Sequence, residues 1–433
     1  MIASVAFFRT TKRDACEMDT NYDVIVMGGG TAGLVAAIQA ARAGASTLLV
    51  EKNGMLGGTM TVGGINYPGL FFVEGQQIIA GIGWELVRKT LEEMGKPIPG
   101  SGQKVRHIWV NVALFAAIAD EAVLSSGAEL LLHTMLAAVT RENERWRILL
   151  CTKTGLQETF ARVLIDATGD ATAVSLAGYE TVRHPITQPA TLSFLCSGYD
   201  AEKLDHAALQ AATEVAVSAG ELRWTDVSWY HGGPERLLKL RGANANHVRA
   251  PDADTSEGRT RAEIEGRRAL LRMYRFLRKQ PGLERFTIDA VCPEIGIRET
   301  VTIRGKQTIT VEDYESGRLF EDAVCYAHYG IDEHLNDGEG IRSRPLKPGI
   351  RPTIPRSALL PLGSRFLIVA GRCLSSDREA NSALRVQCPC MAMGQAAGAM
   401  AALSARSGLD PEELPMSEIR ALLRAHGAIV PGD

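Results

Sequence analysis

The sequence predicts an α/β fold: a Rossmann-like parallel sheet interrupted by an inserted α+β segment. Three observations predict it. An apolar run, Tyr22 to Met27, ends on glycines at 28, 30 and 33 and leads into the helix-forming stretch Leu34 to Ala43. A second apolar run, Thr47 to Val50, ends on Glu51. The same strand-then-glycine pattern returns late in the chain at Phe366 to Gly371, followed by a helical stretch from about Pro389 to Arg406.

The first run has the chemistry of a dinucleotide site. Gly28 permits a tight strand-to-helix turn, Gly30 lets backbone approach a pyrophosphate, and Gly33 lets the helix pack closely on the strand. Thr31 and Ala32 open that helix, whose N-terminal N–H groups point at an anion. Glu51 follows Gly33 by 18 residues, near the distance at which an acidic side chain meets a ribose diol, with Lys52 beside it.

Between these runs the pattern changes several times. Leu56 to Gly69 is too rich in glycine for helix or regular strand and reads as a loop lying against something. Helical periodicity covers Ile82 to Glu93 and Val110 to Ser125. Four short strands follow, 129–133, 137–141, 146–151 and 158–165, the last running into Asp166-Ala-Thr-Gly-Asp170. Residues 178–350 bring strand-like pieces (190–196, 298–309), a long basic helix (259–278) and polar loops. The expected organisation is a flexible leader (1–20), a nucleotide-binding part (21–177), an inserted substrate-binding or capping part (178–350), a return to the first part (351–410) and a C-terminal helix and tail (411–433).

Composition narrows the function classes. With 47 Lys and Arg against 50 Asp and Glu, the net charge of −3 provides no basic field for nucleic acid. No stretch approaches the eighteen apolar residues of a membrane span. The apolar start Ile2 to Phe8 precedes its charges Arg9, Lys12 and Arg13, the reverse of a signal peptide, and Met18 is a candidate natural start. The eight cysteines are scattered, which suits a reducing cytoplasm. Cys388-Pro-Cys390 is a CxC pair with no second pair to complete a metal site, so packed thiols and no metal are expected.

Three separated strand ends carry glycines: 28–33, 167–170 and 369–372. NAD alone needs the first. FAD lies extended and more fully buried, so several strand ends and a late helix must converge on it. A helix N-terminus near Gln387 to Cys390 carries about half a positive charge, suited to the anionic edge of a reduced flavin. Gly394 to Gly398 either serves that helix's approach to the ring or provides a small face for packing.

Gly28-Gly-Gly-Thr-Ala-Gly33, Leu56-Gly-Gly-Thr59, Ile165-Asp-Ala-Thr-Gly-Asp170, Ile295-Gly-Ile-Arg-Glu299, Val369-Ala-Gly-Arg-Cys373 and Gly394-Gln-Ala-Ala-Gly398 fall in order along residues 22–404. In these blocks the chain resembles the FAD-dependent oxidoreductase family of the glutathione-reductase-like superfamily. The resemblance implies FAD, a parallel sheet with an antiparallel crossover, and a capping domain over the flavin. It implies Gly28, Gly30 and Gly33 at the pyrophosphate, Glu51 at the adenosine ribose, and Gly57, Gly58 and Thr59 beside the pyrophosphate or ring. It further implies Thr168, Gly169 and Asp170 near the adenine side, with Gly371, Arg372, Gly394 and Gln395 near ribityl and ring.

Departures from the superfamily narrow the activity. Residues 52–75 lack the cysteine pair of disulfide reductases, and no second GxGxxG follows a strand. No histidine lies in 59–66 for covalent attachment there, which leaves His107 or a cysteine elsewhere. The candidate catalytic side chains are Arg298, His328 and Arg372. Arg298 either binds a substrate anion or pairs structurally with Glu299. His328 and His231 are candidate bases, with Tyr329 and Tyr230 beside them. Trp109 is a candidate for lining the ring, and the basic helix 259–279 reads as a solvated face.

The expected function is a dehydrogenase or oxidase that passes a hydride from a small organic substrate, bound between FAD and the capping domain, to flavin N5. Oxygen or a separate electron acceptor then reoxidises the flavin. The alternatives are a flavin monooxygenase using external NAD(P)H and oxygen, or a non-catalytic electron-transfer flavoprotein. A tRNA-acting FAD protein shares the fingerprint but conflicts with the balanced charge. No motif identifies the substrate, and homo-oligomer formation is left open.

Overall fold

The computed structural model describes residues 20–100, 102–103 and 108–432. Residues 1–19 of the expected leader, with Cys16 and Met18, and the candidate attachment point His107 lie outside them. Along the chain come β1 (Asn21–Met27), α1 (Thr31–Arg42), β2 (Thr47–Val50), β3 (Glu129–Leu131), β4 (Met135–Glu142), β5 (Arg145–Thr152) and β6 (Gly155–Asp166). They are followed by the long helix α2 (Ser256–Leu277), then β7 (Ile331–His334), β8 (Ile341–Arg344), β9 (Leu367–Val369) and α3 (Gln387–Ser407).

Five strands run parallel in the order β3-β2-β1-β6-β9. The sequence has the signature of such a sheet: Val24 to Val26 and Leu48 to Val50 are apolar without alternation and fully buried, because both faces are covered. β6 is long enough to serve two sheet regions. Its first half pairs antiparallel with β5, which pairs with β4, forming the expected crossover. Its last residues, Leu164 to Asp166, pair parallel with β9. Several small antiparallel sheets, including the β7–β8 pair, complete the fold.

Register fixes where the site lies. Met27 is opposite Val50 and Asp166, and Asp166 is opposite Val369. Gly28, Glu51, Ala167 and Ala370 therefore leave the sheet at one level, at the carboxyl ends of its strands, where open α/β sheets bind ligands.

Helix α1 is buried from Thr31 through Ala40, since α3 covers the side away from the sheet. Small residues make that contact. A Cβ on Gly394 would lie 2.1 Å from the Ala32 carbonyl oxygen, and one on Gly398 would lie 2.3 Å from that of Ala36. The four-residue spacing puts both on one face of α3, so the two backbones touch. Gly408, with φ of 75°, ends α3 in a left-handed conformation.

Residues 178–350 split between cores. Phe194, Leu237, Met273 and Phe286 belong to a core of their own, into which α2 sends Met273, Phe276 and Leu277. The α2 N-terminus is capped by Thr255, whose Oγ1 accepts from the Gly258 N–H at 3.0 Å. Val301, Ile303, Tyr314 and Ile331 instead pack into the cores flanking the parallel sheet. Of the expected strand 298–309 only Val301–Ile303 forms a strand, while Gly305 and Ile309 make single bridges to Pro361 and Ser376. Among the described residues no helix is long and apolar enough to cross a membrane.

Candidate active site

A cleft opens at the carboxyl ends of the strands and encloses about 1410 Å³ of non-atom space, its mouth included. Its lining runs from Glu51 and Lys52 through Thr168 to Asp170 and Gly371 to Arg298 and Arg385, so several strand ends contribute to one continuous cleft.

One end is made of backbone. Gly28 has φ of 100°, and a Cβ there would lie 2.5 Å from the Ala167 carbonyl oxygen. A Cβ on Gly33 would sit 1.8 Å from the Gly28 oxygen, so only glycine lets the helix start where it does. In front of Gly30 the space is open: a Cβ would meet only the Gly58 Cα, at 4.0 Å. No side chain caps α1 and no acidic residue lies in its first turn, where Thr31 and Ala32 line the cleft. Its N-terminal donors and partial positive charge are thus directed at a ligand.

Glu51 is 5% exposed at the end of β2. Its oxygens accept from the Gly29 N–H at 2.6 Å and the Asn53 N–H at 2.8 Å. Burial raises its pKa, and those N–H groups offset the rise only in part. Lys52 lines the cleft and pairs with Glu294 at 2.5 Å.

The middle of the cleft is closed by charge. Asp166 accepts from the Thr168 N–H at 3.0 Å, the Thr168 hydroxyl at 2.7 Å and the Val174 N–H at 3.0 Å, which ties down the loop after β6. Asp170 follows and binds Arg372 at 2.5 Å, Arg259 at 2.9 Å and the Thr300 hydroxyl at 2.9 Å. Burial alone would raise the Asp170 carboxyl, but the two guanidinium groups outweigh it and hold it below the usual range. Arg259 comes from α2, so this carboxylate joins the inserted segment to the sheet.

The far end is made of side chains. Tyr67, Asn244, Arg298, Tyr329, Asp332, His334, Arg385 and Gln387 line it. Tyr67 and Tyr329 share a hydrogen bond, and burial raises both phenols. The His334 Nδ1 lies 2.8 Å from the His247 Nε2, and its Nε2 lies 3.3 Å from the Asp332 carboxylate. Burial and the nearby Arg298 push His334 down to about 3, so it is neutral near pH 7. A neutral ring that donates Nε2–H to Asp332 must accept at Nδ1, which places the proton on the His247 Nε2. Burial would raise Asp332, but the His334 N–H and the charges of Arg385 and Arg298 outweigh it and keep the carboxyl low.

A family model described as FAD dependent oxidoreductase matches residues 23–423. The chain belongs to that family. It is an FAD-dependent oxidoreductase, and FAD is its cofactor. The thiamine thiazole synthase of Aeropyrum pernix is 37% identical over 123 residues, 28% of this chain and 41% of its own length. The dihydrolipoyl dehydrogenase of Bacillus subtilis is 60% identical over 42 residues, 10% of this chain and 9% of its own. The oxidoreductase chain thus spans less than half the length of these curated relatives. A solved geranylgeranyl bacteriochlorophyll reductase-like protein from Thermoplasma acidophilum is 13% identical, with a TM-score of 0.43 over 94% of this chain and 83% of its own.

The residues fit FAD: the opening before Gly30, the uncapped α1 and the start of α3 (Val386, Gln387, Cys390) all face one cleft. Of the residues singled out from sequence, Gly28, Gly30, Thr31, Ala32, Glu51, Lys52, Gly58, Thr59, Thr168, Gly169, Asp170, Arg298, Gly371 and Arg372 line it. Gly33 and Gly57 stand behind the lining: Gly33 packs on Gly28, and the Gly57 N–H donates to the Gly29 oxygen at 2.8 Å.

Several expectations need correction. Gly394 is the contact with α1, and Gln395 faces away from the cleft, accepting from the Ile82 N–H and donating to Gln39 and the His426 carbonyl. The first turn of α3 takes the place expected for them. His328 does not line the cleft; burial and Arg351 push it down to about 4. His231 stacks on Trp224, and Trp109 is 51% exposed against Tyr67, both outside the lining. Arg372 is in the cleft but commits its charge to Asp170. The basic helix is not solvated throughout, since Arg259 binds Asp170 and Arg272 grips Asp226 through two contacts of 2.8 Å.

Asp332, His334, His247 and Arg385 were not singled out from sequence. One signal was present: Asp332 and His334 alternate on a strand and so share a face.

Proposed function

We propose that this FAD-dependent oxidoreductase is a dehydrogenase or oxidase of a small organic substrate bound at the Arg298 end of the cleft. The pyrophosphate is assigned to Gly28, Gly30 and the first turn of α1, the ribose to Glu51, and the middle of the cofactor to the stretch between Thr168 and Gly371. Bound FAD supplies the two-electron acceptor for a hydride. The chain's own residues handle the proton and the orientation.

The observation that carries this reading is Asp332, an ionised carboxylate lining the cleft with the His334 N–H at 3.3 Å. As the substrate C–H bond breaks, the O–H or N–H proton on that carbon passes to an Asp332 oxygen, and C=O or C=N forms. His334, locked by His247, fixes the carboxylate and cannot itself take the proton, because its Nδ1 is already accepting. The Tyr67–Tyr329 pair borders the same end. Oxygen or a separate electron acceptor completes the cycle.

The test is anaerobic addition of small alcohols, amines and hydroxy acids to the yellow holoenzyme. Bleaching of the visible flavin band by at least one of them is expected without NAD(P)H. Bleaching by NAD(P)H alone, with oxygen then consumed in step with product, would establish a monooxygenase instead.

A further inference from the structure

We propose that Arg298 and Arg385 form a carboxylate subsite, so that the substrate of this cleft is an organic acid. The proposal rests on the dehydrogenase or oxidase reading and names its substrate class.

Arg298 is 7% exposed, and its two terminal nitrogens donate to the Pro189 carbonyl at 2.7 Å and the Asn244 Oδ1 at 2.8 Å. Both acceptors are neutral. Among the described residues no carboxylate lies within ion-pairing distance of it. Glu299, the partner that the sequence offers, is turned away: it accepts from the Gln188 N–H at 3.0 Å and faces Arg378 at 3.5 Å. A buried guanidinium that has only the more distant charge of Asp332 to offset it is costly, and its neighbour Arg385 adds to the cost. Burial and repulsion from Arg385 push Arg298 down to about 9.

Arg385 is incompletely paired as well. One terminal nitrogen reaches the Gln188 Oε1 at 3.0 Å and the Asp332 carboxylate at 4.0 Å, while its Nε is buried with no partner. At this end of the cleft two guanidinium groups therefore face one carboxylate, with His334 neutral. The unbalanced charge is that of one monoanion, and the planar donors of arginine match a carboxylate. Gln387, 8% exposed and held by its Nε2 on the Ile65 carbonyl at 2.7 Å, leaves its Oε1 unpartnered in the same cleft. It leaves one acceptor open beside the two arginines, and the hydroxyl or amino group of the acid is required by the dehydrogenase or oxidase reading itself.

Calorimetric binding to the FAD-loaded protein tests this without turnover. The probes are acetate, propionate and benzoate, each against its own amide. At least one acid is expected to bind ten-fold or more tighter than its amide. Arg298→Gln should abolish that preference with FAD content unchanged, and Arg298→Lys should restore part of it. Equal binding of every acid and amide by the wild-type protein overturns the subsite, whatever the variants do, as does an undiminished preference in Arg298→Gln. The two readings fail separately. Flavin bleaching by a neutral alcohol with no acid preference sinks the subsite alone, whereas acid preference with no bleaching by any 2-hydroxy or 2-amino acid sinks the dehydrogenase reading alone.

Discussion

The two ends of the cleft are built from different material. The nucleotide end is backbone: a strand, three glycines, a helix N-terminus and one carboxylate, drawn from residues 28–59 with help from two neighbouring strand ends. The Arg298 end is side chains, brought from residues 65–67, 244, 298, 329–334 and 385–387, with His247 behind His334. Backbone geometry tolerates almost no substitution and, in the proposed placement of FAD, meets only a phosphate and a ribose. Side chains on several loops and strands are replaceable one at a time, so this end is where family members can diverge in substrate.

That contrast predicts which substitutions remove the cofactor and which remove only the chemistry. Gly33→Val should have the largest effect, because its Cβ would stand 1.8 Å from the Gly28 oxygen. The expected outcome is protein purified without FAD and destabilised by at least about 3 kcal/mol in denaturant. FAD bound normally to this variant would break the comparison. Asp332→Asn should do the reverse, leaving the flavin spectrum intact while slowing anaerobic bleaching by about 10²–10⁴-fold, the usual contribution of a positioned base.

Asp170→Asn tests the join between the two ends. It leaves the partly buried Arg372 and Arg259 without their shared carboxylate, for which a loss of up to about 3 kcal/mol is expected from unfolding curves. The smallest effect is on pH dependence. His334 ionises at about 3 in the fold and at its ordinary value of 6.5 when unfolded, so from pH 6.5 downward the unfolded chain takes a proton that the folded one refuses. Stability from this group is constant above pH 7 and falls on acidification, by about 2 kcal/mol at pH 5. Thermal unfolding of His334→Gln should therefore decline less between pH 7.5 and pH 5 than that of the wild type.

The same contrast governs what was legible in the sequence. Strand, turn and helix are local, so Gly28, Gly30, Glu51 and the parallel sheet follow from periodicity and spacing within thirty residues. Asp170 and Arg372 were recognisable as strand-end residues, but their mutual pairing spans 202 positions and no local rule expresses it. Gly394 and Gln395 stood in a glycine-rich block, yet the block serves the contact with Ala32 and Ala36, which depends on the placement of α1. His328 was a candidate because it stands in a loop-like stretch, whereas nothing local marked His334. The strand alternation that turns Asp332 and His334 to one side becomes a site only when Arg298 and Arg385 arrive from elsewhere.

The central claim is that the side-chain end of this FAD-dependent oxidoreductase removes a hydride and a proton from a small acid. Anaerobic titration of the holoenzyme with a panel of 2-hydroxy and 2-amino acids tests it most directly, read at the visible flavin band. The predicted result is bleaching by at least one acid, slowed at least 100-fold in Asp332→Asn at equal FAD content. A flavin that no member of the panel reduces, but that NAD(P)H reduces at once, would contradict it.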